Sequence, residues 1–379
     1  MQVGLLYASS NVHPEIGMDF LNAIKYYTGS KQLTGEISLV AENIGFGGSE
    51  KEVFEKMEIM LVQRDVDMLV AFLDLKLLPM LQPLIAASEK PVMLVNPGAN
   101  FPFSWTPVSN LIHLSLQHAF LARLTGKSAA EASGKEAVVA SNFYDSGYLH
   151  TAAMVKAFTD NGGAIVYNYI DKSKKDEDFE IKELNKFLEE QSDCFSLLCL
   201  FDSKPAARFY EHLKQSENAG ELSLFVSPMM LEKEALAQLE QGFPFSIEGY
   251  APWPGFENLS DQGKTFFDPN KRVNIFSILG IETGLVLEQV LLLRKSGEGR
   301  AHDIVKALCN MPLAGPRGLL SLDSNTHFYC APVYKCCIRK NDKQASWQQV
   351  EQYEKDWATF TSAELKGVVS GWTNTYLCY

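Results

Sequence analysis

Short apolar runs alternate with segments of helical periodicity through the first 100 residues of this chain, and that rhythm constrains the fold more than any other feature. The first run, VGLLYA at 3–8, precedes a stretch at 16–27 in which Ile16, Phe20 and Ile24 share one helical face. Further strands with helical segments between them are predicted at 37–42, 66–73 and 91–96. Because helices connect parallel strands, the pattern predicts an α/β fold whose parallel sheet is covered by helices on both faces.

A second lobe is expected because 379 residues are too many for one ordinary core. The alternation starts again near residue 135, without obvious repetition of sequence. The second series has strands predicted at 135–141, 164–170, 195–201 and 222–227, and helices at 148–161, 179–191, 204–215 and 231–241. The sequence therefore predicts two Rossmann-like lobes with parallel sheets.

Charge and hydropathy limit the possible partners. The formal net charge is −12, which argues against nucleic acids and anionic membranes, because both bind basic surfaces. The most apolar segment, 274–297, reads as a long helix that packs on a sheet and is too polar and interrupted to span a membrane. No basic segment followed by an apolar core opens the chain, so we expect a cytosolic protein or one whose signal peptide was removed.

The cysteines do not form a disulfide framework, since their number is odd and no CxxC occurs. They are Cys194, Cys199, Cys309, Cys330, Cys336, Cys337 and Cys378. Three of them lie near His327 in a predicted hairpin at 317–340, and a zinc site is one interpretation. Strand alternation, however, places Cys336 and Cys337 on opposite faces, whereas zinc ligands converge on one point. Buried strand cysteines are therefore expected, and no metal.

Catalytic and cofactor motifs are missing from the sequence. GFGG at 45–48 has neither the GxGxxG spacing nor the lysine of a phosphate-binding loop, so it indicates a nucleotide only weakly. No HExxH or GxSxG occurs, which counts against an enzyme. We expect no cofactor.

The stretch PVMLVNPGANF at 91–101 is the first candidate binding site, because ligands of open parallel sheets bind at the carboxyl ends of strands. Gly98 and Ala99 have little side chain to cover their backbone N–H groups. A ligand carboxylate could accept hydrogen bonds from that backbone and from Asn100. Asn96 and Phe101 complete this candidate loop. A plain strand-to-helix turn explains the same residues equally well.

Other candidate residues also follow predicted strands. They are Ser9, Ser10, Asp74, Tyr144, Asp145, Ser146 and Asp202. The hydroxyl and carboxylate groups would contact a ligand, and a helix N-terminus after residue 148 would attract an anion. The alternative is that these side chains form turns and helix caps, and both roles can hold together. Asp202 could also accept a hydrogen bond from a ligand ammonium group.

Four segments, taken in order, resemble a known family. They are VGLLYASSNVHPEIGMDFLNAIKYY, PVMLVNPGANFP, ASNFYDSGYLHTAAMVKAF and MPLAGPRGLLSLDSNTHFY. The chain resembles the type I periplasmic binding proteins of the branched-chain amino-acid class over residues 1–340. The resemblance implies three hinge crossovers, with lobe 1 formed by 1–117 and 248–330, and lobe 2 by 118–247 and 331–379.

The resemblance also implies a function. Proteins of this class are extracytoplasmic solute receptors of ABC transporters, so a small-molecule ligand, an ABC permease as partner, and a periplasmic or otherwise extracytoplasmic location are expected. The lobes would close about their hinges over the ligand without chemistry. Two alternatives stay open: a sensor module of the same fold that regulates a signalling partner, and an enzyme built on paired Rossmann-like lobes.

The resemblance assigns ligand contacts by position. The segment matching Gly98–Asn100 would hold the ligand carboxylate, and where relatives have a serine near 73–77 this chain has Asp74 and Lys76. Relatives carry an acidic residue for the ligand ammonium where this chain has Met229. Another acceptor, Asp145 or Asp202, must then serve, or the ligand has no ammonium group. Met229, Tyr250 and Trp253 would suit an apolar or aromatic ligand body, although ordinary packing explains each of them.

Overall fold

Parallel strands alternate with helices in residues 1–116. The computed structural model contains β1 (Gln2–Tyr7), α1 (Ile16–Ser30), β2 (Ser38–Asn43), α2 (Glu50–Glu58), β3 (Met68–Phe72), α3 (Leu78–Ser88), β4 (Val92–Asn96) and β5 (Leu111–Ser115). The strands form a fully parallel sheet in the order β2-β1-β3-β4-β5. Every residue of β3 and β4 is buried, which explains why both sequences are continuously apolar.

A second sheet follows in the next stretch of chain. Its elements are α4 (His118–Ala132), β6 (Glu136–Asn142), α5 (Leu149–Asp160), β7 (Ala164–Asp171), α6 (Lys182–Glu190), β8 (Ser196–Leu200), α7 (Ser203–Leu213), β9 (Ser223–Val226), α8 (Lys233–Leu236) and β10 (Ser246–Ala251). Alternate residues of β6 and β8 fill two separate cores: Val138 and Leu197 pack on one face, and Val139 and Leu198 on the other. The predicted α/β fold with parallel sheets is confirmed.

The rest of the chain extends the second sheet and forms a third, smaller one. It forms α9 (Asp261–Lys264), α10 (Ile275–Lys295), α11 (Ala301–Leu308), β11 (Leu313–Gly315), β12 (Gly318–Leu322), β13 (Tyr329–Cys330), β14 (Tyr334–Ile338), β15 (Ser346–Gln349) and α12 (Tyr353–Ser362). β14 and β15 join the second sheet as antiparallel strands, in the order β15-β14-β10-β9-β8-β6-β7. β11, β12 and β13 form a small antiparallel sheet.

Two compact units divide the chain. Unit 1 comprises Met1–Leu116, Leu259–Pro332 and Trp372–Tyr379, and unit 2 comprises Gln117–Asn258 and Val333–Gly371. The structure describes residues 1–132, 135–173, 178–190, 196–239, 242–340, 342, 345–351, 353–362, 370–372 and 376.

The predicted lobe boundaries differ from this division at two points. The prediction returns the chain to lobe 1 at residue 248, but β10 pairs with β9 and β14 inside the second sheet, so unit 2 continues to Asn258. The prediction also has three crossovers, whereas the chain divides a fourth time after Gly371. The long helix predicted at 231–241 is replaced by the four-residue α8 and short 3₁₀ turns.

The apolar helix α10 packs inside unit 1. Its length and apolar composition would suit a membrane span, so the prediction that it is too polar for one is wrong, but 83% of its apolar 18-residue stretch is buried within the protein. It lies against α1 through two glycines. A Cβ atom at Gly280 would meet the Phe20 carbonyl oxygen at 2.5 Å, and one at Gly284 would meet the Tyr27 ring at 2.7 Å. Only glycine therefore permits this close approach.

A buried ion pair joins α10 to the turn between β11 and β12. The Arg317 guanidinium donates from Nε and Nη2 to the two carboxylate oxygens of Glu282, at 2.7 and 2.8 Å. Both side chains are almost fully buried. Two parallel charge-assisted hydrogen bonds fix this geometry, and losing either partner would leave a buried charge unpaired.

The five cysteines that the structure describes do not converge on a metal site. The predicted hairpin is confirmed for β12 and β13, which pair through Ser321 and Cys330, whereas Cys336 and Cys337 lie on β14 in the other sheet. Free thiols among the residues that the structure describes are Cys199, Cys309, Cys330, Cys336 and Cys337. In the same part of the chain no group of three or more His, Cys, Asp or Glu residues could hold a metal ion. Cys194 and Cys378 lie outside the described residues.

Candidate functional site

The carboxyl ends of β1, β3 and β4 lie along one side of the unit 1 sheet, because the strands are parallel. We call this side, with its loops 8–13, 73–76 and 96–101, the unit 1 top. The corresponding side of the second sheet, with loops 142–148, 201–203 and 227–232, is the unit 2 top. These are the places where open parallel sheets bind ligands.

Asp74 and Asn100, both predicted as ligand contacts, meet at the unit 1 top. The Asn100 amide donates from Nδ2 to Asp74 Oδ2 at 3.2 Å, and both side chains are buried. The other carboxylate oxygen of Asp74 accepts a hydrogen bond from the backbone N–H of Lys76 at 3.0 Å. Asp74 is therefore both a cap for the following turn and an orienting partner for the Asn100 amide.

The turn after β4 presents backbone and amide polar groups. Gly98 has φ +81°, a left-handed conformation that glycine adopts without strain. The Asn96 amide donates to the Leu73 carbonyl oxygen at 3.1 Å, while its own Oδ1 atom has no hydrogen-bond partner in the described part of the chain. No described residue accepts a hydrogen bond from the backbone N–H of Gly98 or of Ala99, which is fully buried. Buried polar groups of this kind require partners, and a bound oxyanion would supply them.

The two serines after β1 act within the protein. Ser9 Oγ accepts a hydrogen bond from Asn43 Nδ2 at 2.8 Å. Ser10 Oγ accepts one from the His13 backbone N–H at 3.0 Å and donates its proton to the Tyr376 carbonyl oxygen at 2.9 Å. Both hydroxyls thus organise the loop, which is the turn-forming role that the sequence leaves open.

Four aromatic side chains, which we call the aromatic row, run from the unit 1 top into the unit. The Phe101 and Trp105 rings stack at 6.2 Å, Trp105 lies 5.3 Å from Phe328, and Phe328 stacks on His113 at 4.2 Å. Burial lowers the pKa of His113 to about 3, so the imidazole is neutral. Of these residues only Phe101 is predicted from the sequence, although the spacing of aromatic residues in FPFSW also points to Trp105.

Asp145 and Asp202, predicted as alternative ammonium acceptors, lie together at the unit 2 top. Asp145 Oδ2 accepts hydrogen bonds from Asn142 Nδ2 at 2.6 Å and from the Asp202 backbone N–H at 2.8 Å. Asp202 Oδ1 accepts one from the Ser203 backbone N–H at 2.6 Å, which caps α7. All four side chains are buried. These carboxylates hold the ends of β6 and β8 together.

His150, at the start of α5, completes this buried cluster. Its Nε2 atom lies 3.1 Å from the Asp145 carbonyl oxygen and 3.5 Å from the Asp145 carboxylate. Burial lowers the pKa of His150 to about 4, although the hydrogen bond to Asp145 and the charge of Asp202 oppose this shift. His150 and the Ser227 hydroxyl after β9 are further polar groups of the unit 2 top that the sequence analysis does not identify.

Met229 and Trp253 belong to the loops after β9 and β10. Both side chains are buried, and Trp253 Nε1 donates to Glu232 Oε1 at 2.8 Å. Glu232 follows Met229 by three residues, so the loop after β9 does contain a carboxylate, although not at the position where the resemblance expects one.

The remaining predicted residues have local roles in unit 2. Tyr144 packs edge-on against Phe143 at 5.5 Å, and Ser146 Oγ donates to the Phe143 carbonyl oxygen at 2.8 Å. Tyr250 lies under Lys335, whose Nζ atom is 5.8 Å from the ring centroid. This places Tyr250 in a polar group beside α4, and no described contact joins it to Asp145 or Asp202.

A family model described as periplasmic binding protein matches residues 1–340. The chain belongs to the periplasmic binding protein family. No curated protein sequence matches this binding protein. The matched residues include most of both units and the loops of both tops, so the predicted family is confirmed.

Solved structures extend the likeness. A solute-binding protein of an ABC transporter from R. palustris, in complex with benzoate, is 17% identical with a TM-score of 0.69, and the alignment covers 92% of this chain and 95% of that one. An ABC transporter substrate-binding protein from Sphaerobacter thermophilus is 14% identical with a TM-score of 0.71, covering 93% and 97%. The branched-chain amino acid binding protein LivJ from Streptococcus pneumoniae, in complex with isoleucine, is 13% identical with a TM-score of 0.67, covering 92% and 99%. At these identities the likeness establishes the fold.

These relatives are solute-binding proteins and not enzymes, as predicted for this chain. The two tops of this binding protein differ in chemistry. The unit 1 top offers backbone N–H groups, amides and an aromatic row, whereas the unit 2 top contains carboxylates that accept hydrogen bonds from the protein itself. The first set is suited to an anion with an aromatic body.

Proposed function

We propose that this periplasmic binding protein is the extracytoplasmic solute receptor of an ABC transporter, and that its ligand is a small aromatic carboxylate without an ammonium group. The observation that carries the proposal is the unit 1 top, where the backbone N–H groups of Gly98 and Ala99 lie next to the Phe101–Trp105 stack. A carboxylate would accept hydrogen bonds from the turn, and the aromatic body would lie along the row.

The carboxylates of unit 2 argue against an amino acid. A buried ammonium group must be paired, because an unpaired buried charge is costly. Met229 stands where the resemblance expects an acidic residue, and one carboxylate oxygen each of Asp145, Asp202 and Glu232 already accepts a hydrogen bond from a protein group. A ligand with no ammonium group requires no new acceptor.

The relatives support the ligand class without deciding it. The R. palustris protein binds benzoate and the S. pneumoniae protein binds isoleucine, so both classes occur on this fold. What favours the aromatic class here is the aromatic row, which offers ring faces for stacking worth about 1 kcal/mol per pair beyond burial. An ABC permease is the proposed partner, and the net charge of −12 gives no basic surface for nucleic acid.

A free branched-chain amino acid is the second candidate, and Glu232 is the observation that favours it. Its carboxylate accepts a hydrogen bond from Trp253 on Oε1 and carries the negative charge that a buried ligand ammonium group requires. Replacement Glu232→Gln separates the candidates, because it would weaken amino-acid binding strongly and aromatic-acid binding little.

A thermal-shift screen tests the proposal. The panel contains benzoate, 4-hydroxybenzoate, 3,4-dihydroxybenzoate, leucine and isoleucine, each at millimolar concentration. Ligands that bind the folded state raise the melting temperature by mass action. We expect the three aromatic acids to stabilise the protein and the two amino acids to leave it nearly unchanged. Stabilisation by leucine or isoleucine alone would replace the proposal with the second candidate.

A further inference from the structure

One polar atom at the unit 1 top requires more from a ligand than a carboxylate. The Asn96 amide donates from Nδ2 to the Leu73 carbonyl oxygen, so its Oδ1 atom can only accept a hydrogen bond. No described residue donates to this Oδ1 atom, and the side chain is only 3% exposed. An oxyanion is itself an acceptor and cannot pair with Oδ1. The Asn96 oxygen therefore calls for a hydrogen-bond donor.

We infer that the unit 1 top selects an aromatic acid with a hydroxyl group on the carbon next to its carboxylate, and that Asn96 Oδ1 accepts the hydroxyl proton. This inference rests on the proposed function and narrows its ligand class to aromatic 2-hydroxy acids. Asn96 is then the residue that determines specificity, while the neighbouring backbone N–H groups bind the carboxylate.

Asn96 lies next to both parts of the proposed ligand site. It is the last residue of β4 and precedes Gly98 by two residues, which limits the separation of their Cα atoms to about 7 Å. The register of β4 and β5 pairs Leu94 with His113, the inner end of the aromatic row. Because residues two apart on a strand point to the same face, Asn96 shares the sheet face of His113.

This position determines where the ligand donor must be. A carboxylate bound by the N–H groups of Gly98 and Ala99 places its neighbouring carbon near Asn96, while the ring extends along the aromatic row. A hydroxyl on that carbon reaches Oδ1, and a hydroxyl at the far side of the ring does not. A neutral amide oxygen satisfies a hydroxyl, but it has no charge to pair with an ammonium group. The site therefore matches a 2-hydroxy acid better than an amino acid.

Asn110 is the matched control within the same unit. Its side chain is also 3% exposed, and no described residue donates to its Oδ1 atom. Its Nδ2 atom donates to the carbonyl oxygens of Ile85 and Lys90 at 2.7 and 2.8 Å, which explains an asparagine at this position without a ligand. Asn110 precedes β5 and lies at the side of the sheet opposite the unit 1 top. A substitution there should leave ligand preference unchanged.

Three ligands with one carbon skeleton test the inference on the natural chain. Phenylacetate, mandelate and phenylglycine carry hydrogen, hydroxyl and ammonium, respectively, on the carbon next to the carboxylate. In calorimetry the preferred enantiomer of mandelate should bind at least tenfold more tightly than phenylacetate, because phenylacetate leaves the buried acceptor unpaired. Phenylglycine should bind more weakly than mandelate, since a neutral amide does not pair its charge.

Asn96→Leu removes the acceptor and keeps a side chain of similar size. The preference for mandelate over phenylacetate should fall to within about threefold, whereas Asn110→Leu should keep it at about tenfold. Both variants lose a buried amide that binds backbone carbonyl oxygens, so both should lose stability, and only the ligand preference separates them. An unchanged preference in Asn96→Leu, or an equal loss in both variants, would overturn the inference.

The ligand series also separates this inference from the proposed function. Equal binding of mandelate and phenylacetate by the natural chain would overturn the inference and leave an aromatic acid as the ligand. Binding of benzoate without binding of mandelate would have the same meaning. Tightest binding of phenylglycine, or binding of leucine alone, would overturn both proposals, because the ligand would then carry an ammonium group.

Discussion

The tops of the two units contain similar residue types but use them differently. At the unit 1 top the only buried carboxylate, among the described residues of its three loops, is Asp74, which orients a neighbouring amide. At the unit 2 top Asp145 and Asp202 form a network with backbone N–H groups and a neutral histidine. The contrast teaches that an aspartate after a parallel strand can be a structural group, even where a ligand-binding role is expected.

This difference follows from the backbone hydrogen-bonding groups that each loop leaves buried or uncovered. The ends of β6 and β8 leave backbone N–H groups that are buried, and carboxylates are the strongest acceptors available for them. The turn after β4 is instead built from Asn, Pro, Gly and Ala, whose small side chains leave the backbone uncovered. Binding function is therefore expected mainly in unit 1 and structural stabilisation mainly in unit 2.

Lowering the pH should give the largest change, which is a loss of unfolding free energy caused by one buried histidine in each unit. Burial lowers the pKa of His113 to about 3 and that of His150 to about 4, whereas an unfolded chain protonates its histidines near pH 6.5. As the pH falls below 6.5, the unfolded state takes up protons first. The free energy of unfolding should therefore fall by about 1.4 kcal/mol per pH unit for each histidine, down to pH 4.

Urea unfolding between pH 7.5 and pH 4.5 measures this slope. The variants His113→Phe and His150→Gln should each remove about half of the slope of unfolding free energy against pH that these two histidines produce. If both variants kept the slope of the natural chain, burial of these histidines would not be its cause.

Asp145→Ala should break the unit 2 network. It leaves the Asp202 backbone N–H and the Asn142 amide without their acceptor inside the protein, and the expected loss is about 3 kcal/mol of unfolding free energy. Asp74→Ala is the counterpart in unit 1 and should cost about half as much, because water can reach the Lys76 backbone. Equal losses in urea unfolding would contradict the structural difference between the tops.

Gly98→Ala should weaken binding of 4-hydroxybenzoate about tenfold, because the left-handed turn that presents the backbone N–H groups would be strained. Gly162→Ala is the matched control, since Gly162 has a similar φ of +93° in the turn between α5 and β7. Both variants should lose about 1 kcal/mol of stability, but only Gly98→Ala should lose affinity. Equal affinity loss in calorimetry would show that strain alone is responsible.

Met229→Glu should give the smallest change in ligand affinity, and it tests the difference between the two tops by a substitution in unit 2. It places an acidic residue where the resemblance expects one for a ligand ammonium group, so leucine binding should strengthen about threefold while 4-hydroxybenzoate binding weakens. Met229→Leu keeps the apolar character and should change neither. Weaker leucine binding to Met229→Glu than to the natural chain would place the ammonium position elsewhere.

Much of the fold can be predicted from the sequence because buried parallel strands are continuously apolar. β3 and β4 are recognised for this reason. β5 is not predicted, since His113 interrupts its apolar run and its burial depends on Phe328, more than 200 residues away. β10 is also missed, because it alternates buried and half-buried residues next to the antiparallel β14.

The candidate site could be predicted only where its residues directly follow neighbouring parallel strands. The meeting of Asp145 with Asp202, and of Asp74 with Asn100, follows from their positions after neighbouring parallel strands. The contact of Ser10 with Tyr376 has no signal in the spacing of residues, because nothing in a single sequence places residue 376 beside β1. The structural role of Asp145 and Asp202 could not be predicted either, because it depends on which backbone N–H groups the fold buries.

The most direct test is calorimetry of the natural chain with 4-hydroxybenzoate and with leucine under the same conditions. If the unit 1 top binds an aromatic carboxylate and the unit 2 aspartates act as hydrogen-bond acceptors for the protein, 4-hydroxybenzoate should bind at least tenfold more tightly than leucine. Leucine binding with equal or greater affinity would contradict the account.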